Sequence, residues 1–114
     1  MMKVITVLIL FLMIPIGSAI GEEKVFKKKC ISCHSLTKTK IGPPLGDIWN
    51  KKGGSHKGYR YSKAMKTSKV IWNEETLDLF LTNPKKFIKG TKMSIRGLKP
   101  KYRTPIIEYL KRQN

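Results

Sequence analysis

Two kinds of residue are scarce in this 114-residue sequence: it has only two cysteines, and only seven acidic residues against 24 lysines and arginines. Two cysteines cannot build a disulfide framework. Strand-like alternation of useful length and internal repeats are also absent, which favours an all-α fold with long loops. The formal net charge of +17 predicts an acidic partner: nucleic acid, anionic lipid or an acidic protein face.

The longest apolar run lies at the N-terminus and is short for a membrane span. Lys3 precedes an apolar stretch from Val4 to Ile14, and small residues follow at 17–19. A span needs about 20 apolar residues. We therefore interpret residues 1–19 as a secretory signal that is cleaved, with cleavage after Gly21 as the alternative and a retained membrane anchor as the competing hypothesis. The remaining residues, 20–114, are predicted to form one domain whose hydrophobic core is too small to be stable without a cofactor, a metal or a disulfide.

Periodicity and capping residues predict four helices around a long loop at residues 35–58, with one helical turn expected at 47–51. The predicted helices are Glu22–His34, Tyr61–Lys66, a third with Asn73 as N-cap that ends before Pro84, and a last one with Thr104 as N-cap and Pro105 in first position. Their predicted buried stripes are Leu77, Phe80 and Leu81 on the third helix, and Ile106, Tyr109 and Leu110 on the last.

Cys30-Ile31-Ser32-Cys33-His34 is the C-x-x-C-H pattern of covalent haem attachment. On one helical turn the two thiols and the imidazole share a face, so both thiols can bond one porphyrin while the imidazole reaches its iron. A thioredoxin-like redox pair would need a βαβ context, and a zinc site would need about four ligands. Neither context is present, so the pattern predicts one haem c held by two thioethers.

The second axial ligand of the iron has three candidates outside the predicted signal: His56, Met65 and Met93. Met93 lies in a non-helical segment far enough along the chain to reach the ring face opposite His34, and we favour it. Met65 is expected to pack against the cofactor, and His56 to be a solvated loop residue. A His/Met pair fills both axial positions, which predicts electron transfer rather than catalysis.

From Phe26 to Leu110 the sequence resembles the class I cytochromes c of the mitochondrial and α-proteobacterial type. The stretches that carry the resemblance are Gly42-Pro43-Pro44-Leu45, Tyr61-Ser62-Lys63-Ala64, the region of Trp72, and residues 83–93, which read NPKKFIKGTKM. The resemblance implies the small class I fold, with His34 and Met93 as axial ligands. It also implies that the carbonyl of Pro43 accepts a hydrogen bond from His34, and that Tyr61 and Trp72 donate to a haem propionate.

Five positions depart from the pattern of that family. Phe80 stands where a tyrosine commonly donates to the methionine sulfur, so that hydrogen bond should be missing. Asn50-Lys51 replaces Gly-Arg, and Met65 replaces an asparagine, which predicts an altered polar network below the propionates. Glu22 replaces a glycine where the first and last helices usually cross closely, so the crossing itself is expected to change.

The resemblance also implies partners and a location. A cytochrome bc1 complex would be the donor and a cytochrome c oxidase the acceptor, and the signal favours the bacterial periplasm. The chain would be a monomer that binds acidic redox faces and no nucleic acid, and that meets the membrane only peripherally unless its N-terminal segment is retained. In that family, lysines surround the exposed haem edge and form a docking rim for acidic partners. The corresponding residues here are Lys29, Lys40, Lys85, Lys86 and Lys92.

Two other classes of function compete with an electron carrier. A basic protein that binds membrane or nucleic acid would lack a covalent haem spectrum. A haem enzyme such as a peroxidase would need an open sixth position, which binding of carbon monoxide to the ferrous protein would reveal.

Overall fold

The computed structural model describes residues 3–10 and 16–114, with side chains of the first helix described from Ala19 onward. These residues contain five helices: α1 (Ile16–Cys30), α2 (Lys63–Thr67), α3 (Glu74–Thr82), α4 (Pro84–Phe87) and α5 (Pro100–Arg112). The only strand-type pairing in the described ranges is an isolated bridge between Lys52 and Ile71. The predicted all-α fold is therefore confirmed.

The first helix begins earlier and ends earlier than its sequence pattern predicts. It includes Ala19 and Gly21 and stops at Cys30 rather than His34. Beyond Cys30 the chain turns, and groups of the following loop bind the carbonyls there: Lys40 Nζ donates to Ile31, and the Gly42 N–H donates to Cys33 at 2.7 Å.

Much of the predicted signal segment has no structural description, since residues 1–2 and 11–15 lie outside the described ranges. Residues 3–10 are non-helical and exposed. None of the helices in the described ranges has both the length and the apolar character needed to span a membrane.

The third helix follows its prediction closely. Asn73 accepts a hydrogen bond from the Thr76 N–H at 2.9 Å, while the Thr76 hydroxyl accepts one from the Asn73 N–H at 2.9 Å. This reciprocal cap fixes the start of α3. Asn83 ends α3 and its side chain then caps α4, which begins at Pro84. The second helix is shifted by two residues from its predicted start, because Ser62 is its N-cap.

The predicted start of the last helix is wrong. α5 begins at Pro100, five residues before the predicted first position at Pro105. Arg103 explains the difference, because its side chain binds Asp78 of α3 at 2.8 Å and the Leu98 carbonyl at 2.6 Å, which anchors this extra turn. Pro105 has no backbone N–H, so the carbonyl of Lys101 loses its helical hydrogen bond. Lys101 is exposed.

The core forms where α1 and α5 cross and where α3 packs against α5. Phe26 and Ile106 are each 1% exposed, and the Phe26 and Tyr109 rings lie 4.8 Å apart. The predicted stripe of α3 is confirmed, since all three of its residues are buried. On α5, Ile106 and Leu110 are buried as predicted, Tyr109 is half-buried, and Ile107 is an additional core residue.

Candidate functional site

A cavity of about 650 Å³ opens in the middle of the fold. Its walls come from the end of α1, the loop after it, α2, α3, α5 and the irregular segment 91–98. Most of the lining is apolar, including Leu45, Ile48, Leu77, Phe80, Leu81, Ile106 and Leu110. A cavity of this size and character suits a large, flat, mostly apolar cofactor.

The two cysteines are free and half-buried, and both line this cavity together with His34. The turn that follows α1 brings them together, since the His34 N–H donates to the Cys30 carbonyl at 2.9 Å. Burial, helped by the nearby Cys33, raises the pKa of the Cys30 thiol to about 12. A redox-active C-x-x-C pair has a lowered thiol pKa. The environment of Cys30 therefore argues against the thioredoxin-like alternative.

His34 is oriented by the loop that follows it. Its Nδ1 lies 2.7 Å from the Pro43 carbonyl oxygen, which can only accept, so Nδ1 donates and Nε2 keeps a free lone pair. Burial lowers the pKa of His34; the hydrogen bond to Pro43 opposes this effect, and the charge of Lys40 adds to it. A neutral imidazole with one nitrogen fixed by a carbonyl is the form that ligates metals.

Gly42 makes this arrangement possible, a role that its place in the sequence did not reveal. A Cβ on Gly42 would lie 2.3 Å from His34 Cε1, closer than any side chain could tolerate. The loop can therefore pass against the imidazole only with glycine here. The sequence shows only that a glycine directly precedes Pro43. Its close approach to the His34 imidazole is visible only in the folded loop.

Met93 lies on the irregular segment between α4 and α5, half-buried against the same cavity. Two contacts hold this segment: the Leu98 N–H donates to the Leu81 carbonyl at 2.8 Å, and Lys92 Nζ donates to the Arg60 carbonyl. Gly97 has a φ of +129°, and a Cβ there would lie 2.0 Å from the Thr82 carbonyl oxygen. A glycine is therefore required where the segment passes α3.

The other two candidate ligands are placed differently. Met65 also lines the large cavity and is 8% exposed, packed in α2 beside Gly53 and Trp72. His56 is exposed and lines a second, smaller cavity of about 260 Å³ instead. Of the three candidates, the structure thus brings Met65 and Met93 to the large cavity and leaves His56 outside its lining.

Tyr61 and Trp72 line both cavities. Trp72 is 7% exposed, and its indole N–H can only donate. Burial raises the pKa of Tyr61, so its phenol stays protonated; its oxygen accepts a hydrogen bond from the His56 N–H at 3.3 Å, which leaves its O–H free to donate. Two donors at this end of the apolar cavity suit a bound carboxylate.

The residues present therefore fit haem. One apolar cavity is lined by two thiols, a neutral imidazole and the thioethers of Met65 and Met93. Tyr61 and Trp72 add two hydrogen-bond donors that a bound carboxylate could use. Within the described ranges no group of three His, Cys, Asp or Glu residues could hold a metal ion by itself, which argues against the zinc alternative. The fold and site together define the class: a small all-α haem protein of the c type.

Comparison with known proteins identifies the family. A family model described as cytochrome c matches residues 21–114. A cytochrome c of Sesamum indicum is 46% identical over 101 residues, covering 85% of this chain and 91% of the relative. A cytochrome c of Gibberella zeae is 47% identical over 91 residues, covering 76% of this chain and 86% of that protein. The chain belongs to the cytochrome c family.

A solved structure supports the same conclusion. Cytochrome cH from Methylobacterium extorquens aligns with a TM-score of 0.77 at 38% identity, covering 82% of this chain and 97% of that one. The identification as a class I cytochrome c is thereby confirmed. Cytochromes c bind haem c covalently and carry electrons rather than catalyse reactions, and this chain has the cysteines for that attachment.

Proposed function

We propose that residues 20–114 form an exported, monomeric carrier of single electrons between a cytochrome bc1 complex and a cytochrome c oxidase. Cys30 and Cys33 hold the haem through two thioethers, and His34 and Met93 are its axial ligands. The observation that carries this proposal is that all four side chains line one apolar cavity. When bound, haem supplies iron that accepts and releases one electron.

The protein's own residues hold the proposed ligands in place. The Pro43 carbonyl fixes the His34 ring, which keeps the ligand in one orientation in both redox states. The hydrogen bonds of Leu98 and Lys92 hold the segment that carries Met93, which would keep its thioether in place in the same way. With both axial positions filled, no position is left for a substrate, which favours electron transfer over the peroxidase alternative.

Met93 is preferred to Met65 because of where each lies. Met93 is on an irregular segment held at both ends, so its side chain is not committed to a helix face. Met65 is buried in α2 and fills space beside Gly53 and Trp72. Its flexible apolar side chain suits packing.

Two lysines at the cavity and three exposed ones that correspond to the family's docking lysines support an acidic redox partner. Lys29 and Lys92 line the cavity itself, and Lys40, Lys85 and Lys86 are exposed. Such a rim steers an acidic face towards the cofactor edge, and its effect weakens as salt rises. The favoured partner is thus an acidic protein face rather than nucleic acid, which an exported protein does not meet.

Export rests on the N-terminal sequence: Lys3, the apolar stretch Val4–Ile14 and the small residues at 17–19. The match to the family model begins at residue 21, just past the proposed cleavage after Ala19. These features together favour a bacterial periplasm as the location of the mature protein.

The mass and spectrum of the exported protein test the proposal. The expected mass is that of residues 20–114 plus one haem, and the reduced-minus-oxidised spectrum should survive denaturation and solvent extraction. The reduced protein should also pass electrons to a purified bacterial cytochrome c oxidase. A bare polypeptide mass would contradict haem attachment, whereas an uncleaved N-terminus would contradict only the processing step.

A further inference from the structure

Lys29 and Lys92 line the large cavity, and the ammonium group of each lies over a tyrosine ring. Lys29 Nζ is 4.2 Å from the centroid of the Tyr102 ring, and Lys92 Nζ is 5.8 Å from that of Tyr59. An ammonium within about 6 Å of a ring centroid is attracted by the electron-rich face of the ring. The contact between Lys29 and Tyr102 is the shorter of the two and therefore the stronger.

The Tyr102 ring is the only polar or aromatic partner that the described residues offer to the Lys29 ammonium. Lys92 differs, because its Nζ also donates a hydrogen bond to the Arg60 carbonyl. The ion pairs in the described part of the chain use other cations, namely Lys27, Lys51, Arg103 and Arg112. Without the Tyr102 ring, the end of the Lys29 side chain would therefore be free to move.

The ring itself is held in place by the fold. Tyr102 is half-buried in the first turn of α5 and packs against the core. The next residue, Arg103, binds Asp78 of α3 at 2.8 Å, which fixes this turn. Lys29, by contrast, carries its charge on a flexible four-carbon chain in the last turn of α1. The ring is therefore the fixed member of the pair, and the ammonium is the member that it restrains.

A tyrosine ring holds a lysine in a different way from a carboxylate. A carboxylate also places an ammonium group but offsets its charge, as Glu23 does for Lys27 at 3.1 Å. A ring attracts the ammonium through its quadrupole and adds no net charge. Lys29 is therefore restrained while its full positive charge remains available to attract an anionic partner.

We propose that Tyr102 is a positioning residue for electron transfer to acidic partners, because its ring holds the Lys29 ammonium beside the haem cavity. The inference rests on the proposed function, in which Lys29 belongs to the docking rim. Tyr102 does not touch the reacting atoms. Its effect on the reaction passes entirely through Lys29.

Lys101 provides a matched comparison for Lys29. Its Nζ lies 4.9 Å from the centroid of the same Tyr102 ring, so both lysines contact one aromatic side chain. Lys101 is exposed and is not among the described residues that line the cavity. Replacing either lysine by glutamine removes the same net charge, but only Lys29→Gln removes it from the cavity lining.

The test measures how fast the reduced, haem-loaded protein is oxidised by hexacyanoferrate(III) in a stopped-flow instrument at low ionic strength. This small anion stands in for an acidic partner: it takes one electron from the protein and becomes hexacyanoferrate(II). Tyr102→Leu should slow the reaction about twofold, the size of one exposed cation–π contact. Tyr102→Phe keeps the ring and should react at the wild-type rate.

Coupling between the two residues separates positioning from a merely structural role. Lys29→Gln should itself slow the reaction, and by more than Lys101→Gln does. Adding Tyr102→Leu to Lys29→Gln should then have no further effect, since no ammonium is left to position. The slowing by Tyr102→Leu should also disappear at high salt. With a cationic oxidant such as tris(phenanthroline)cobalt(III), Tyr102→Leu should not slow the reaction.

The contact can also be observed directly in the wild-type protein. Proton NMR of the reduced, haem-loaded protein should show nuclear Overhauser contacts between the Lys29 ε-methylene and the Tyr102 ring. Their absence would overturn the inference even if Tyr102→Leu failed to fold. A wild-type rate in Tyr102→Leu would also overturn it, as would equal slowing by Tyr102→Leu and Tyr102→Phe or slowing that persists in the Lys29→Gln background.

These outcomes are distinct from failure of the proposed function. A haem-loaded protein that reduces an oxidase but shows no coupling between Lys29 and Tyr102 would overturn only the role of Tyr102. A chain that never binds haem covalently would overturn both.

Discussion

Arg112, in the last turn of α5, forms a two-point ion pair with Glu22 of α1: its Nε lies 2.7 Å from Oε2, and its Nη2 lies 3.4 Å from Oε1. Only 10% of the Glu22 side chain is exposed, against 52% for Arg112. The resemblance led us to expect a changed helix crossing at Glu22. The helices nevertheless still meet closely at Phe26 and Tyr109, and the carboxylate lies alongside that contact with a partner of its own.

Glu22→Ala should destabilise the haem-loaded protein by about 1 kcal/mol, because it removes a charge-assisted contact whose arginine is half exposed to water. The measurement is denaturant unfolding of Glu22→Ala, Arg112→Ala and the double variant. The double variant should be more stable than the sum of the two single effects predicts. Glu23→Ala is the control, since its pair with Lys27 at 3.1 Å is exposed and should contribute little. Equal losses in Glu22→Ala and Glu23→Ala would contradict a special role for this pair.

Met93→Ala should abolish the iron–sulfur charge-transfer band of the ferric protein, because the thioether that we assign to the iron is lost. Absorption spectroscopy of the ferric protein in the near-infrared and far-red measures the band. Met65→Ala is the matched control, since it removes a second thioether that lines the same cavity. If the band survives in Met93→Ala and disappears in Met65→Ala, then Met65 rather than Met93 binds the iron.

The parts of the fold that were predicted correctly are local in sequence. The haem-attachment pattern lies within five residues, and the start of α3 depends on Asn73 and Thr76, which cap each other three residues apart. Both patterns can be recognised in the sequence without knowledge of any tertiary contact. The proposed haem-binding residues Cys30, Cys33, His34 and Met93 were predicted by the same means, from a short pattern or as one of very few donors of their type, whereas Pro43, Tyr61 and Trp72 came from the resemblance to the family.

The errors at the start of α5 and the end of α1 lie where residues outside each helix contact it. The predicted start of α5 at Pro105 failed because Arg103 binds Asp78, which is 25 positions away. The chain leaves α1 at Cys30 rather than His34, and groups of the following loop, on Lys40 and Gly42, bind the carbonyls of Ile31 and Cys33 there. No periodicity in the sequence records either contact. The place of His56 beside Tyr61 is likewise a property of the folded loop.

Gly42→Ala should lower both haem retention and stability, because the added Cβ would meet His34 Cε1 at 2.3 Å and push the imidazole off its hydrogen bond to Pro43. The expected loss is more than about 2 kcal/mol, the range of severe core disruption. The yield of covalent haem and the unfolding midpoint measure it. Gly58→Ala is the control, since its Cβ would meet only ordinary contacts beginning at 3.4 Å. Full stability in Gly42→Ala would show that the loop can move away without loss.

Lys86→Glu should slow electron transfer to an acidic redox partner at low salt, because it reverses one charge of the proposed docking rim. Lys86 is exposed, so its replacement should leave the fold intact. Stopped-flow oxidation of the reduced protein by a purified cytochrome c oxidase, at several salt concentrations, measures the effect. We expect a reduction of about tenfold at low ionic strength, shrinking as salt screens the charges.

Lys63→Glu is the matched control for this prediction, because it makes the same change in net charge at another exposed residue. Lys63 lies in the first turn of α2, where an acidic side chain suits the helix. If the rim steers the partner, Lys86→Glu should slow the reaction more than Lys63→Glu does, and the two rates should converge at high salt. Equal slowing by both variants would mean that only the net charge matters. The oxidase would then be attracted by the whole basic surface rather than by the lysines at the haem edge.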